Sequence, residues 1–286
     1  MQYSLSLPNG GTWGDPHSLA ELASLAEASG WDGVFLEDYI VWQSHQDVPT
    51  FDPWITLAAM AMRTKRIRLG TNVTPLARRR PWKVAREAVS LDHLSNGRLI
   101  LGVGLGDTGE AVGTDISFTY FGEVTDTRER AQMLDEALDV IVGLWSGEPF
   151  AYDGTYYQVK EVRFVPRPLQ RPRIPIWVGG GWPLKGPTNR AARWDGSHLY
   201  KHKADRMTPE DVRALRATVE QQRGSLEGYD ITVSSNQQSS DRDAERAYLR
   251  LLAEAGATWC TEYLPPDLGD REAVSAMIGR GPLRID

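Results

Sequence analysis

The chain has 286 residues, 41% hydrophobic and 24% charged, which is enough for one large folded domain. Its longest apolar runs are about ten residues, short of the roughly 20 that a membrane-spanning helix needs. The net charge of −6 excludes a general attraction to nucleic acids or anionic lipids. Cys260 is the sole cysteine, and the first residues look like a strand rather than a secretory leader. Both features predict a protein of the reducing cytoplasm.

Strand-like and helix-like patterns alternate from one end of the chain to the other. Eight apolar or β-branched segments predict strands: Tyr3–Leu7, Gly33–Leu36, Ile67–Val73, Leu99–Val103, Ile176–Val178, Ser197–Tyr200, Ile231–Ser234 and Thr258–Tyr263. Eight further segments have helical patterns: Ser18–Ala28, Pro53–Arg63, Pro81–Leu94, Thr127–Trp145, Thr188–Trp194, Pro209–Arg223, Arg242–Ala255 and Arg271–Ile278. Because each parallel crossover needs a helix, this alternation predicts a parallel sheet.

Eight strand–helix units in about 250 residues predict a (β/α)8 TIM barrel, formed by residues 1–286 as a single domain. The extra material is an insertion at about residues 146–175, between the fourth helix and the fifth strand, in which 152–157 has the pattern of a hairpin turn. A doubly wound open sheet is the alternative architecture.

In such a barrel the chemistry lies at the carboxyl ends of the strands. Glu37 and Asp38 end the second strand side by side, so one side chain can face the barrel mouth while the other packs outward. Adjacent carboxylates on one strand are poorly placed to act as the acid and base of a glycosidase. We expect an acid or hydrogen-bonding role for Asp38, with a solvated loop carboxylate as the alternative.

Two glycine-rich segments follow predicted strands. Gly104-Leu-Gly106-Asp-Thr-Gly109 matches the dinucleotide fingerprint, but the next good helix starts only near Thr127, which argues against a Rossmann site. These glycines fit better as a bend over a flat ligand. Gly179, Gly180 and Gly181 lie between a strand and a helix, and this predicts a glycine turn that binds an anion or phosphate.

Charged residues near other strand ends allow further predictions. Lys201 and His202 form a cationic spot suited to an anionic ligand, with a solvated loop as the alternative. Arg78–Arg80 is interpreted as a solvated helix entry, with a phosphate or carboxylate contact as the alternative. His93 is expected to make structural hydrogen bonds. The five histidines have no metal-ligand spacing, so no metal site is predicted.

Taken together, several segments resemble the bacterial luciferase-like family of flavin- and deazaflavin-dependent oxidoreductases. The most specific is 85–104, where a helix ends in Asp-His-Leu-Ser-x-Gly-Arg and leads into a Leu-Gly-x-Gly strand. Supporting segments are 28–33, 69–73, 153–157, 166–170, 175–180 and 191–196. The resemblance extends to about residue 200 and then fades.

The resemblance implies an (α/β)8 barrel with FMN or coenzyme F-420 lying across the strand ends. It implies that residues near the ends of the second, third and fourth strands contact the ring: Asp38, Thr71, Asn72, Val73, Gly104, Gly106 and the loop to Glu110. It implies that the triple glycine, Gly179–Gly181, contacts the phosphate. It also makes 71–73 a candidate for a non-proline cis peptide bond.

Members that use F-420 often end the second strand in Asp-His with a tryptophan nearby. This chain has Asp38-Tyr39 and then Trp42, so a phenol stands where a histidine is common. Thr108-Gly109-Glu110 resembles the acid-bearing loop of F-420-dependent sugar-phosphate dehydrogenases. The resemblance therefore favours F-420 over FMN, with Glu110, Asp38 or Tyr39 as the proton-transfer group.

The predicted function is hydride transfer between F-420 and a small organic substrate. The substrate would enter a mouth walled by Trp13, Trp42 and Trp182, where Lys201 and His202 could hold an anionic group. The alternatives are an FMNH2-dependent two-component monooxygenase, which needs a separate reductase, and a non-catalytic flavin-binding barrel. A barrel hydrolase would need a nucleophile or metal ligands that the sequence does not supply. A flavin or F-420 reductase and a second copy of the chain, forming a homodimer, are the expected protein partners.

Overall fold

The computed structural model describes residues 1–108, 114–201, 206–236 and 239–285. In chain order the strands are β1 (Gln2–Leu7), β2 (Gly33–Leu36), β3 (Arg68–Thr71), β4 (Thr74–Pro75), β5 (Leu99–Gly104), β6 (Pro149–Asp153), β7 (Gln158–Arg163), β8 (Ile176–Trp182), β9 (Gly196–Lys201), β10 (Asp230–Ser235) and β11 (Trp259–Tyr263). The helices are α1 (Pro16–Ala28), α2 (Pro53–Arg63), α3 (Pro81–Ser95), α4 (Ser117–Tyr120), α5 (Thr127–Trp145), α6 (Lys185–Arg193), α7 (Pro209–Arg223), α8 (Arg242–Ala255) and α9 (Arg271–Gly279). A 3-10 turn, Leu76–Arg78, precedes α3.

Eight parallel strands close into a barrel. The strand order is β3-β2-β1-β11-β10-β9-β8-β5, and β5 pairs again with β3 to complete the ring. A doubly wound sheet would end in two open edges, so this closure excludes that alternative and confirms the predicted TIM barrel. In the described ranges, no helix is both long and apolar enough to cross a membrane.

The predicted insertion contains a two-stranded antiparallel hairpin of β6 and β7. Its turn is closed by a hydrogen bond from the Gly154 amide to the Tyr157 carbonyl, 2.9 Å. Glu136 on α5 accepts hydrogen bonds from the backbone amides of Thr155 and Tyr156, each 2.8 Å. These contacts hold the hairpin against the helix that precedes it.

Aromatic side chains fill the lower part of the barrel interior. Phe35 stacks on Trp177 with ring centroids 5.2 Å apart, and Trp177 meets Trp259 edge to face at 5.2 Å. Above this layer the interior becomes polar, with Ser4 and Thr261 hydroxyls 2.8 Å apart. The barrel is therefore closed below, which leaves the carboxyl ends of the strands as the open side for chemistry.

The Asp92-His93-Leu-Ser-x-Gly-Arg98 segment is structural. Asp92 is fully buried and accepts hydrogen bonds from the amides of Leu169, 2.7 Å, and Gln170, 3.2 Å, at the end of the insertion. His93 Nε2 lies 2.8 Å from the Arg167 carbonyl, which confirms its predicted structural role. The segment thus joins α3 to the returning end of the insertion.

Arg98 closes the same segment on its other side. Its buried guanidinium donates to the carbonyls of Ser95, Ile67, Ala61 and Thr64 over 2.6–3.1 Å, and to the Thr64 hydroxyl at 2.8 Å. Ser95 ends α3, whereas the other acceptors lie in the last turn of α2 or between α2 and β3, so one side chain connects two neighbouring strand–helix units.

Replacing Arg98 should therefore destabilise the barrel. Arg98→Met keeps much of the side-chain volume but leaves several buried carbonyls without donors, at a cost of about 2–4 kcal/mol in the free energy of unfolding. Urea unfolding followed by circular dichroism measures this cost. Arg63→Met, at an exposed arginine on α2, is the control and should stay within about 0.5 kcal/mol. Equal stability of the two variants would contradict a structural role for Arg98.

Candidate active site at the carboxyl ends of the strands

Glu37 and Asp38 point to opposite sides of the barrel wall. Glu37 shares the strand face of Phe35, which packs inside the barrel, and its amide still pairs with the Leu7 carbonyl at 3.0 Å. The Glu37 side chain thus faces the mouth, where the Tyr263 hydroxyl lies 3.4 Å from its Oε2. Asp38 takes the outward side, so the carboxylate at the mouth is not the one chosen from the sequence.

Asp38 is buried and held by two arginines. Arg79 donates to it in a bidentate arrangement, Nη2 to Oδ1 at 2.7 Å and Nε to Oδ2 at 3.1 Å, and Arg78 Nη2 lies 3.4 Å from Oδ1. The Arg78 side chain is only 1% exposed and that of Arg79 19%. The interpretation of these two arginines as a solvated helix entry is therefore wrong, because they neutralise a buried carboxylate.

The same arginines connect the second strand to the loop after β5. Arg78 also donates to Asp115, whose carboxylate accepts from the Ser117 amide at 3.0 Å. From α5, the buried Arg130 donates to the Leu105 carbonyl at 2.6 Å and to the Thr108 hydroxyl at 2.7 Å. Both ends of the loop are thus anchored. Glu110, the predicted acid on this loop, lies outside the described residues.

Three oxygen-bearing side chains gather at the mouth around the end of β2. Burial raises the pKa of Glu37 to about 8, although its hydrogen bond with Tyr263 acts in the opposite direction. Burial, followed by the nearby Glu37, also raises the pKa of Tyr39 and of Tyr263 above the ordinary tyrosine range. Trp42 packs edge to face on Tyr39, with ring centroids 4.9 Å apart. At neutral pH these groups are mostly uncharged.

Bare backbone at the ends of β5 and β8 forms another part of the wall of the mouth. A Cβ built on Gly104 would lie 2.5 Å from Val73 Cγ2, and one built on Gly179 would lie 2.6 Å from Val73 Cγ1. The Val73 side chain therefore fills the space that side chains at both glycines would need. The Asn72–Val73 peptide bond is cis, as the resemblance implies. The glycines and Val73 thus form a shallow surface suited to a flat ring.

The side chains of Thr71 and Asn72, which were also predicted to contact the ring, bond to the protein instead. Thr71 is buried, and its hydroxyl donates to the Gly102 carbonyl at 2.9 Å rather than facing a ligand. Asn72 Nδ2 points inward, 3.3 Å from the Ser6 hydroxyl. Gly106 has φ +74°, and a Cβ there would meet the Phe118 ring at 2.8 Å. Glycine is thus required where the chain leaves β5.

The triple glycine is strand rather than turn. Gly179, Gly180 and Gly181 belong to β8, in register with His198, Leu199 and Tyr200 of β9. This corrects the predicted glycine turn, because strand pairing with β9 continues to Trp182. Gly180 faces the helix layer, where a Cβ would meet Pro187 at 2.5 Å. Helix α6 begins soon afterwards without a side-chain cap, and free amides at such an end suit an anion.

Lys201 is held in an ion pair rather than directed at a ligand. Its Nζ lies 2.8 Å from Asp211 Oδ2, and Trp182 Nε1 donates to Asp211 Oδ1 at 2.9 Å. Burial alone would raise the pKa of Asp211, but the hydrogen bonds from Lys201, Thr208 and Trp182 lower it to about 2. His202, the other half of the predicted cationic spot, lies outside the described residues.

The three tryptophans predicted to wall the substrate mouth have different surroundings. Trp13 is fully buried in the core, Trp42 packs at the mouth against Tyr39, and Trp182 bonds to Asp211.

Deeper in the barrel, His198 Nδ1 lies 2.7 Å from the Thr232 hydroxyl, and burial lowers the pKa of His198 to about 4. Across the described ranges, no group of three or more potential ligands could hold a metal ion.

Sequence reasoning weighed Glu37 beside Asp38 but chose Asp38, and it assigned no role to Tyr263 and no partner to the arginines. Alternation of polarity along β2 could not decide between the two carboxyl groups, because Val34, Phe35 and Leu36 are all apolar and buried. No local pattern connects Tyr263 to Glu37, since 226 positions separate them along the chain.

Two curated relatives are similar over much of the chain. An F420-dependent glucose-6-phosphate dehydrogenase of Microbacterium testaceum is 39% identical over 59% of this chain and 48% of its own length. That of Nakamurella multipartita is 33% identical over 81% of this chain and 66% of its own length. The aligned regions thus cover about half to two thirds of the length of these relatives.

A solved structure shares the fold. An F420-dependent secondary alcohol dehydrogenase, in complex with an F420–acetone adduct, superposes with a TM-score of 0.76. The match covers 99% of this chain and 98% of that one at 18% identity, which is evidence for the barrel alone. At the level of sequence, the profile of the luciferase-like monooxygenases matches residues 2–270. With nearly its whole length matched, the chain belongs to the luciferase-like monooxygenase family.

Proposed function

We propose that the protein is an oxidoreductase that transfers hydride between coenzyme F-420 and a small organic substrate. The observation that carries the proposal is the glycine-lined surface over Val73, which faces the open mouth beside Glu37 and Tyr39. A flat tricyclic ring fits such a wall because the backbone there presents no side chains. The similarity to F420-dependent dehydrogenases supports F-420 as the ring.

In this proposal Gly104, Gly106 and Val73 hold the ring, and the uncapped start of α6 beside Gly181 holds the phosphate. When bound, the deazaflavin supplies two-electron hydride chemistry. Asp38 then serves as a positioning residue: its carboxylate is engaged by Arg78 and Arg79, which suits fixing the end of β2 better than moving a proton. Glu110 remains a predicted acid.

The substrate is proposed only as a small organic molecule. The relatives are named for glucose 6-phosphate, but this chain matches only about half to two thirds of their length, so their substrate is not assigned to it. Because the positive charge of Lys201 is compensated by Asp211, the described residues at this position do not favour a phosphate-bearing substrate.

A two-component FMN-dependent monooxygenase is the second candidate function, and the family description favours it. Such an enzyme would bind FMNH2 and need a reductase as partner. Cofactor preference separates the two candidates.

Purified protein should bind F-420 with micromolar or tighter affinity and FMN at least about tenfold more weakly, a difference of about 1.4 kcal/mol. Quenching of tryptophan fluorescence follows both titrations, because Trp42 lies at the mouth. The reverse preference would indicate the monooxygenase. Tight retention of either ring without turnover would instead support a non-catalytic flavin-binding barrel. Binding of neither would contradict all three.

Gly104→Ala tests where the ring lies. Its Cβ would displace Val73 into the mouth, and F-420 binding should weaken about tenfold or more. The control is Gly279→Ala at the end of α9, where a Cβ meets no atom within 4 Å. Unchanged affinity in a folded Gly104→Ala variant would place the ring elsewhere.

A homodimer in the cytoplasm is proposed as the working form. Helices α2 and α3 pack side by side and leave large apolar side chains exposed: Ile55 at 67%, Met62 at 70%, Trp82 at 39% and Leu94 at 44%. Ile55 and Met62 are seven residues apart and so share one helix face. An exposed apolar surface of this kind suits a second copy of the chain.

The double variant Ile55→Glu, Met62→Glu should be monomeric where the parent is dimeric, because carboxylates would be desolvated across the interface. Size-exclusion chromatography with light scattering at micromolar concentration measures this. Leu251→Glu on α8, a residue 49% exposed, is the control and should remain dimeric. A parent protein with the mass of one chain, 31.9 kDa, would refute the dimer.

A further inference from the structure

We propose that Glu37 is held as a neutral carboxylic acid at the barrel mouth and exchanges a proton with the substrate oxygen during hydride transfer. The inference rests on the proposed function for its redox step. The protonation state of Glu37, however, is a property of this chain alone and can be measured without cofactor.

The first step of the argument is the contrast between two neighbouring carboxyl groups. Asp38 has Arg78 and Arg79 within ion-pair distance, so its negative charge is compensated. The side chain of Glu37 has a phenol as its hydrogen-bond partner, Tyr263 at 3.4 Å. Glu37 is partly buried, and among the described residues no cation lies within ion-pair distance of its carboxyl group. An uncompensated carboxylate at such a position is costly, and protonation removes the cost.

The second step concerns the other groups that face Glu37. Among the described residues, Tyr39 and Tyr263 are the titratable groups whose pKa is raised by the nearby Glu37, and neither can supply a positive charge. Further carboxylates raise the pKa of these tyrosines as well: Asp107 and Asp115 for Tyr39, and Asp267 for Tyr263. The hydrogen bond from Tyr263 favours an ionised Glu37, but burial outweighs it and raises the pKa of Glu37 to about 8.

The third step is position. Glu37 faces the barrel interior at the end of β2, whereas the glycine and Val73 surface lies at the ends of β3, β5 and β8. A substrate lying over a ring on that surface meets Glu37 from the open side. The Tyr263 hydroxyl, 3.4 Å from Oε2 of Glu37, helps to fix the position of the carboxyl group.

The proton balance of the reaction is then complete. When a carbonyl substrate is reduced, the Glu37 carboxyl group would donate its proton to the substrate oxygen, and a bound reduced deazaflavin would supply the hydride that the carbon requires. Glu37 is left as a carboxylate and regains a proton from water. In alcohol oxidation the carboxylate takes the hydroxyl proton as the hydride leaves, because both directions share one transition state.

The first test uses the protein without cofactor. A carboxyl group whose folded-state pKa is raised favours folding most below its unfolded value, near 4.5, and that benefit is lost as the pH rises to about 8. Glu37→Gln cannot ionise. The melting temperature of this variant should therefore rise relative to wild type across that interval and stay level above it.

Infrared difference spectra give the same information directly. Wild type minus Glu37→Gln should show the carbonyl band of a protonated acid at neutral pH and a carboxylate band at about two pH units above 8. Glu161→Gln, at an exposed glutamate on β7, is the control and should show neither this band nor a pH-dependent change in melting temperature. An ionised Glu37 at neutral pH would overturn the inference.

The second test uses protein loaded with reduced F-420 and a panel of small ketones and aldehydes. Glu37→Gln should lower kcat about 100-fold or more and abolish the fall in rate above about pH 8, while Glu37→Asp restores part of the rate. A neutral Glu37 whose Gln variant keeps the wild-type rate and pH profile would refute its catalytic role. Failure of F-420 to bind would instead refute the proposed function, and with it the proton-transfer step, whatever the protonation state of Glu37.

Discussion

The ion pair between Asp38 and the arginines of the 3-10 turn is the interaction on which the mouth of this barrel depends. Arg79 donates two hydrogen bonds to the Asp38 carboxylate, and Arg78 contacts both Asp38 and Asp115 in the loop after β5. Charge-assisted bidentate pairs of this kind fix orientation as well as position. Since Asp38 is held on the outer side of the strand end, its neighbour Glu37 is directed to the inner side.

Compensation of charge divides the mouth into two regions. Asp38 is paired with Arg78 and Arg79, and Lys201 is paired with Asp211, so these groups act as framework. Around Glu37 the partners are phenols, and the charged groups beyond them are carboxylates. A site that must transfer protons needs a carboxyl group without a paired cation, because an adjacent positive charge stabilises the ionised form of a carboxylate.

The family's characteristic segment serves the scaffold rather than the chemistry. Asp92 and His93 hold the end of the insertion, and Arg98 satisfies the carbonyls between α2 and β3. Such a segment identifies the family because its many backbone contacts depend on residue type and not only on polarity. It carries no information about the substrate.

Sequence patterns predicted the barrel and its insertion, and the family resemblance predicted the cis peptide segment. The strand and helix patterns are local, and the number of units favoured a closed barrel over a doubly wound sheet, which the pairing of β5 with β3 then excluded. The site was predicted less completely. Asp38 and the Arg78–Arg80 run were identified, yet their pairing was not, because nothing in the sequence indicates which charges 40 or 41 positions apart will meet.

Likewise, Glu37 and Tyr263 come together only when β11 pairs with β1 and closes the ring. Sequence therefore determined the architecture and which strand ends would carry the site. The tertiary structure decided which of two adjacent carboxyl groups is neutralised by arginine and which faces the mouth, because burial and counter-charge arise only from the packed chain.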